Sequence, residues 1–197
     1  MTPLALPFEV QRQIDGLDLD ASVPIIITDA DEVLFCFVAA LEKFLQTKGY
    51  VLHIRSFALS GNIEHIGSGK IVPPSDVKKL LQEFFNNHVE TIPPVSGAAE
   101  ALSKLSKFAQ IVVLSNVPLS SRNARQRALQ QHGMDYPLIA NTGAKGPAVK
   151  ELTSSLRNIK FFIDDIPNNI QSVAYEATQV FRIHFVADPR LASLIDQ

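Results

Sequence analysis

Five short apolar runs punctuate the chain, at 23–28, 111–115, 137–141, 159–163 and 179–183. The first, second and fourth are almost continuously apolar, the pattern of strands buried on both faces. Between them, residues 97–107, 120–132, 147–157 and 168–176 carry apolar side chains at helical period,. Strands alternating with helices predict βαβ units around a mainly parallel sheet.

One interval breaks this rhythm. About 80 residues part the first run from the second, where a loop and one helix need far fewer. Within 34–49, Phe35, Val38, Leu41, Phe44 and Leu45 stand at helical spacing,. A glycine-containing stretch follows over 56–70, then Pro73-Pro74, and a second helix is predicted over roughly 76–88. Residues 37–91 therefore read as a helical subdomain inserted above the first strand, with Pro93-Pro94 marking the return to the sheet. Residues 1–36 and 92–197 form the α/β core, and 1–22 read as a leader lying against its surface.

Composition narrows the class of protein. Of 197 residues, 46% are hydrophobic and 19% charged, enough apolar material for one generous core with a modest insertion,. The net charge of −2 offers no basic face for a nucleic acid or a membrane surface,. A single cysteine, Cys36, leaves neither a disulfide nor a thiol zinc site, and it reads as a core residue of the first inserted helix,. The first seven residues lack a basic run followed by a long apolar stretch, so no signal peptide is expected. The expectation is a cytoplasmic protein, monomeric or homodimeric.

The chemistry gathers at the strand ends. In open α/β sheets, ligands bind beyond the carboxyl ends of the strands. The first run ends in Asp29 and Asp31, the second in Ser115 and Asn116, and the fourth in Asp164 and Asp165; Lys145 follows the third. A phosphate ester is already anionic, so a carboxylate nucleophile needs a divalent metal and a cation to offset the repulsion. Mg²⁺, with its preference for carboxylate oxygens, suits Asp29 and Asp165, and Lys145 neutralises the cluster. Asp29 and Asp31, two apart on an extended chain, point to one side. One can attack phosphorus while the other moves the proton.

These residues carry a resemblance. The run from Ile25 to Leu34, with Thr28-Asp29-Ala30-Asp31-Glu32-Val33 at its centre, resembles the first motif of the haloacid dehalogenase-like (HAD) superfamily of phosphatases. Val113-Leu114-Ser115-Asn116 is similar to its second motif, with Pro94 to Leu102 resembling the helix that leads into it. Lys145-Gly146-Pro147 resembles the third and Phe162-Ile163-Asp164-Asp165 the fourth. Order and spacing agree from residue 23 to about 170. The resemblance implies a three-layer Rossmann-like core with a small helical cap at 37–91 that selects substrate. It implies Asp29 as nucleophile and Asp31 as acid/base, with the Asp31 carbonyl a Mg²⁺ ligand. Ser115, with Asn116 and Lys145, binds the phosphoryl group. Asp165 is a metal ligand, and Asp164 ligates through water or orients its neighbour. Two positions depart from the family pattern. Glu32 stands where most members have glycine, and Asn169 where some have a further acidic residue.

The implied activity is Mg²⁺-dependent hydrolysis of a nucleotide or sugar phosphate through an aspartyl-phosphate. A phosphomutase of the same superfamily and a catalytically weak module binding a phosphorylated ligand or a protein partner remain as alternatives; a response-regulator receiver ranks below both. Simpler readings stand beside the sharper ones. Asp-x-Asp after an apolar run also serves as a turn or helix cap. Gly67-Ser68-Gly69-Lys70 lacks the remaining residues of a phosphate-binding loop and reads as a flexible cap loop that can close over the site,. Arg122, Arg125 and Arg127 read first as a solvated helix face, and second as partners for an anionic tail. Lys150 reads as a surface residue, and among the histidines His65 stands nearest the glycine loop.

Overall fold

The computed structural model describes residues 6–195. Five parallel strands form one sheet in the order β5-β4-β1-β6-β7: β1 Ile25–Thr28, β4 Gln110–Ser115, β5 Leu138–Ala140, β6 Lys160–Asp164 and β7 Phe181–His184. β1 is central, pairing Ile25 with Gln110 on one side and with Lys160 on the other. The chain runs outward from β1 through β4 to β5, then crosses back to β6 and β7. That reversal opens a crevice at the carboxyl end of β1, flanked by the tips of β4 and β6.

Alternation along the strands feeds two cores, one on each face. Ile25, Ile27, Val112, Leu114 and Phe162 pack with Val149 of α6 (Gly146–Thr153) and Val173 of α7 (Pro167–Glu176). Ile26, Ile111, Val113 and Leu138 pack on the other face with Leu102 of α4 (Ala98–Leu105) and Ala128 and Leu129 of α5 (Arg122–Gln131). This is the three-layer α/β arrangement that the resemblance implies, built on the parallel sheet that the sequence pattern predicts. Prolines open α6 and α7 at first-turn positions, where a missing N–H costs nothing,.

The long interval between β1 and β4 holds α2 (Phe37–Thr47), β2 (Tyr50–Leu52), β3 (Ile63–His65) and α3 (Pro74–His88). The helices match the periodic segments, but α2 starts at Phe37 rather than near Leu34. Phe35 is buried in the turn before it, bridged to Pro94, and Cys36 caps the helix half-buried. β2 and β3 pair antiparallel, Tyr50 with His65 and Leu52 with Ile63. Strands of three residues leave too short an alternation to register beside two clear helices. Phe84 of α3 packs edge-on to Phe37 of α2, with ring centroids 5.5 Å apart.

Two short helices were not visible in the pattern: α1 (Phe8–Asp15) and α8 (Pro189–Ala192). α1 replaces much of the expected surface leader, and Val10 is buried against the sheet. Its Gln13 amide donates to the Ala140 carbonyl at 3.1 Å and accepts from the Ala140 N–H at 2.9 Å. One side chain thus satisfies the open edge of β5 as a further strand would. Most of the first seven residues lie outside the described residues, and the signal-peptide reading rests there. Among the described residues no helix is long and apolar enough to cross a membrane.

α6 and α7 meet closely at Gly146. A Cβ there would overlap the Ser172 carbonyl and hydroxyl, and the Gly146 N–H donates to Ser172 Oγ at 3.1 Å. Gly146→Ala is expected to cost about 1–3 kcal/mol through overpacking, lowering Tm by roughly 3–10 °C in thermal unfolding. An unchanged Tm would show that the two helices are free to part.

Candidate active site

Four loops deliver side chains to the crevice. Asp29 follows β1, whose last hydrogen bond, from the Asp29 N–H to the Ile163 carbonyl at 2.8 Å, pins the residue to β6. Lys145 is fully buried between carboxylates, its Nζ 2.7 Å from Asp29 Oδ1 and 2.7 Å from Asp164 Oδ2. Asp29 Oδ1 also accepts the Ala30 N–H at 2.7 Å. Its Oδ2 is held by no described residue. Asp164 spends both oxygens on the protein: Oδ1 accepts from the Ile166 N–H at 2.9 Å and Asn169 Nδ2 at 3.0 Å, and Oδ2 takes Lys145. Asp164 therefore orients Lys145 and Asn169, while Asp165 Oδ1 is buried with no partner.

Burial shapes the charges. It works against the ammonium of Lys145, but Asp29 and Asp164 outweigh it and hold Lys145 above its ordinary value. Burial raises Asp29 to about 7 despite Lys145. Burial, followed by Asp29 and Asp164, pushes Asp165 up to about 10.

Asp31 and Glu32 follow the nucleophile candidate into a tight turn. Asp31 Oδ1 pairs with Arg125 Nη2 of α5, a guanidinium that is wholly buried and lies 4.8 Å over the Phe35 ring. Glu32 adopts φ +56°, the left-handed conformation that favours glycine,. Its side chain compensates for the strain. Oε1 accepts the Val38 N–H of α2 at 2.6 Å, a donor that the first helical turn leaves free, and Oε2 accepts the Asp188 N–H at 2.9 Å,. Burial raises Glu32 to about 7.

Ser115, at the tip of β4, is fully buried with a partnerless hydroxyl. Asn116 donates to the Gly143 carbonyl at 3.0 Å and accepts from Asn141 at 2.7 Å. Above these residues lies a chamber of about 250 Å³ that Asp29, Asp31, Lys145, Asp165, Asn116 and Asn169 line from below. The inserted segment closes it from above.

Solved structures share this architecture. A haloacid dehalogenase-like family hydrolase from Streptococcus pneumoniae superposes with a TM-score of 0.57 at 11% identity, over 88% of this chain and 91% of that one. The fold is haloacid dehalogenase-like. A HAD-like hydrolase from Burkholderia xenovorans gives 0.52 at 12% identity, over 87% and 88% of the chains. A candidate beta-phosphoglucomutase from Bacteroides vulgatus gives 0.50 at 18%, over 94% and 88%. No family model matches the sequence, and no curated protein sequence does.

On this HAD-like scaffold Asp29, Asp31, Asn116, Lys145 and Asp165, singled out from sequence, line one chamber, whereas Ser115 and Asp164 are fully buried and do not line it. Lys150 stays exposed, paired with Glu176. The glycine loop does not line the chamber; Gly67 and Gly69 make an exposed turn beyond β3, and His65 bonds the neighbouring Ile66 carbonyl. The loop facing the site is 53–59, including His53. Arg122 braces α1 and β5 through Gln13 and the Leu138 carbonyl, and Arg127 pairs with Glu90. Neither lines the chamber. Arg125 was the residue to watch. It stands three and four residues before Ala128 and Leu129, on the buried stripe of α5, where a solvated arginine does not belong,.

The residues fit a hard divalent cation. Carboxylate oxygens of Asp29, Asp164 and Asp165 lie within 4.8 Å of one another. Asp165 Oδ1 lacks any other partner, and the Asp31 carbonyl takes no hydrogen bond from a described residue. All are oxygen donors, as Mg²⁺ prefers. Because burial raises Asp29 to about 7 and Asp165 to about 10, their stabilising contribution is full below the ordinary carboxylate range. It is lost as pH rises, through about 7 for Asp29,. The metal-free protein should thus lose stability from pH 5 to pH 8. Mg²⁺ needs the ionised forms, so its stabilisation should be larger at pH 8, roughly 5–10 °C in Tm at about 100 times Kd. Thermal melts with and without Mg²⁺ at both pH values check this; equal shifts, or a full shift in Asp165→Asn, would count against the site.

Proposed function

We propose that the chain is a Mg²⁺-dependent phosphoric monoester hydrolase in which Asp29 is the nucleophile. The observation that carries this reading is the state of the Asp29 carboxylate. Lys145 and the Ala30 N–H fix Oδ1, which leaves Oδ2 free at the chamber floor. Asp29 Oδ2 attacks phosphorus, the bond to the ester oxygen breaks, and an aspartyl-phosphate forms. Lys145 offsets the charge gathered on Asp29 and Asp164. The Asn116 amide, which lines the chamber, and the adjacent Ser115 hydroxyl, buried without a partner, would serve as donors to the phosphoryl oxygens. Asp31 protonates the departing alkoxide and then takes the proton of the water that hydrolyses the acyl phosphate. Asp29, Asp165 and the Asp31 carbonyl would hold Mg²⁺, which supplies neutralisation of the phosphoryl charge.

The inserted segment acts as a cap that keeps bulk water from the intermediate. Arg125 is a positioning residue: it holds one oxygen of Asp31 and leaves the other toward the chamber. The same ion pair favours a second reading, a phosphate-binding protein with slow or no turnover, since it restrains the group that must exchange protons.

Purified protein with Mg²⁺ is expected to release phosphate from p-nitrophenyl phosphate or from members of a phosphate-ester panel, without isomerised product. Asp29→Asn should lower the rate by about three orders of magnitude or more. Full activity in that variant would sink the mechanism, and an inactive wild type that still binds inorganic phosphate would favour the binding reading. Arg125→Met separates positioning from folding. It removes a buried guanidinium with two unpartnered nitrogens but leaves the Asp31 carboxylate without its partner, so stability should fall by about 1–3 kcal/mol. kcat should fall about 10–100-fold with KM little changed, and Arg125→Lys should recover part of it. An unaltered kcat would remove Arg125 from the machinery.

A further inference from the structure

The chamber is charged at its floor and apolar over its walls. Phe37 of α2, Leu52, Ile54 and Phe57 from β2 and the loop behind it, and Leu81 and Phe85 of α3 form those walls. All but Leu52 remain only half-buried, so apolar surface is left facing the space above Asp29. Most of its polar groups are already engaged: Ser56 Oγ accepts from Asn62 at 2.9 Å, and Asn116 and Asn169 bond to protein, while His53 Nε2 lies 3.2 Å from Glu64 without a hydrogen bond. Lys145 is the one lysine or arginine lining the chamber among the described residues, and two carboxylates hold it.

Resting on the phosphatase reading above, we propose that the substrate is the phosphate monoester of a small apolar alcohol, with one ring or a short aliphatic chain. A second phosphate or carboxylate on the ligand would meet no free cation and four carboxylates, Asp29, Asp31, Glu32 and Asp165. Sugar hydroxyls would exchange water for a wall that offers few partners, which disfavours them by about tenfold or more. Size agrees. A cavity of about 150 Å³ takes benzene, so the 250 Å³ here holds a ring-sized group beside the phosphoryl.

The test compares esters of primary alcohols, so that leaving groups are alike: benzyl and hexyl phosphate against glycerol 3-phosphate, glucose 6-phosphate and adenosine 5′-monophosphate. With wild type and Mg²⁺, kcat/KM should favour the apolar esters by about tenfold or more, mainly through KM. Phe57→Ser and Phe85→Ser should each shrink that ratio. A ratio at or below one, with phosphate released throughout, overturns the apolar substrate and leaves the phosphatase reading standing. If no ester is hydrolysed, the phosphatase reading falls, and calorimetry still decides the chamber. Benzylphosphonate should then bind about tenfold tighter than 2,3-dihydroxypropylphosphonate, and equal affinities would overturn the apolar preference as well.

Discussion

A fully buried ammonium between two buried carboxylates is the constraint on which the rest of this structure hangs. Removing an ion from water costs several kcal/mol even after relaxation, on the order of the stability of a domain if left unpaired. Lys145 survives burial because Asp29 and Asp164 each approach it to 2.7 Å. Asp164 can do so because Asn169 and the Ile166 N–H hold its other oxygen. The backbone must then bring three separate segments to within hydrogen-bond reach. β1 and β6 are adjacent in the sheet, which places Asp29 and Asp164. Lys145 arrives from the start of α6, whose depth is set by the close approach of Gly146 to Ser172. A glycine one residue from the charge thus determines where the charge sits.

That triad still leaves the floor anionic, and Asp165 is the residue that feels it. With one ammonium shared by two carboxylates, the third has no hydrogen-bond donor among the described residues, and its proton stays bound far above the ordinary range. Such a group destabilises a metal-free fold and is compensated when a cation enters. Strain in the native state and affinity for a divalent ion are therefore two readings of the same imbalance, as expected for a site whose residues serve chemistry before stability.

Much of this was legible in the sequence because it rests on short-range patterns. Continuous apolar runs marked the buried strands, and acidic residues at their ends marked the crevice. Asp29, Lys145 and Asp165 could be named because each sits at a fixed offset from a strand. What escaped depends on partners distant in the chain. Glu32 read as a departure from glycine. Its left-handed turn shows why glycine suits the position, but the carboxylate itself reaches α2 and Asp188, a contact across 156 positions that no local pattern encodes. Gln13 sealing β5 is hidden for the same reason, across 127 positions. Arg125 was different. Its place on the apolar stripe of α5 was readable, and the run of neighbouring arginines concealed it.

The same buried arginine illustrates how a charge can be kept for function against the interest of stability. Arg125 is desolvated, its Nε and Nη1 lack partners, and a ring face and one carboxylate are its compensation. Apolar side chains in place of both Arg125 and Asp31 would fill the site at lower cost. An arginine is worth its desolvation only if Asp31 must be held, because Asp31 remains open to the chamber and would otherwise sample several rotamers. A carboxylate that moves protons needs a fixed direction, and here that direction comes from α5, outside the four strand-end motifs. The insertion above contributes no comparable charge. The division is then physical: the core gathers the ions at the chamber floor, and the insertion supplies its apolar walls.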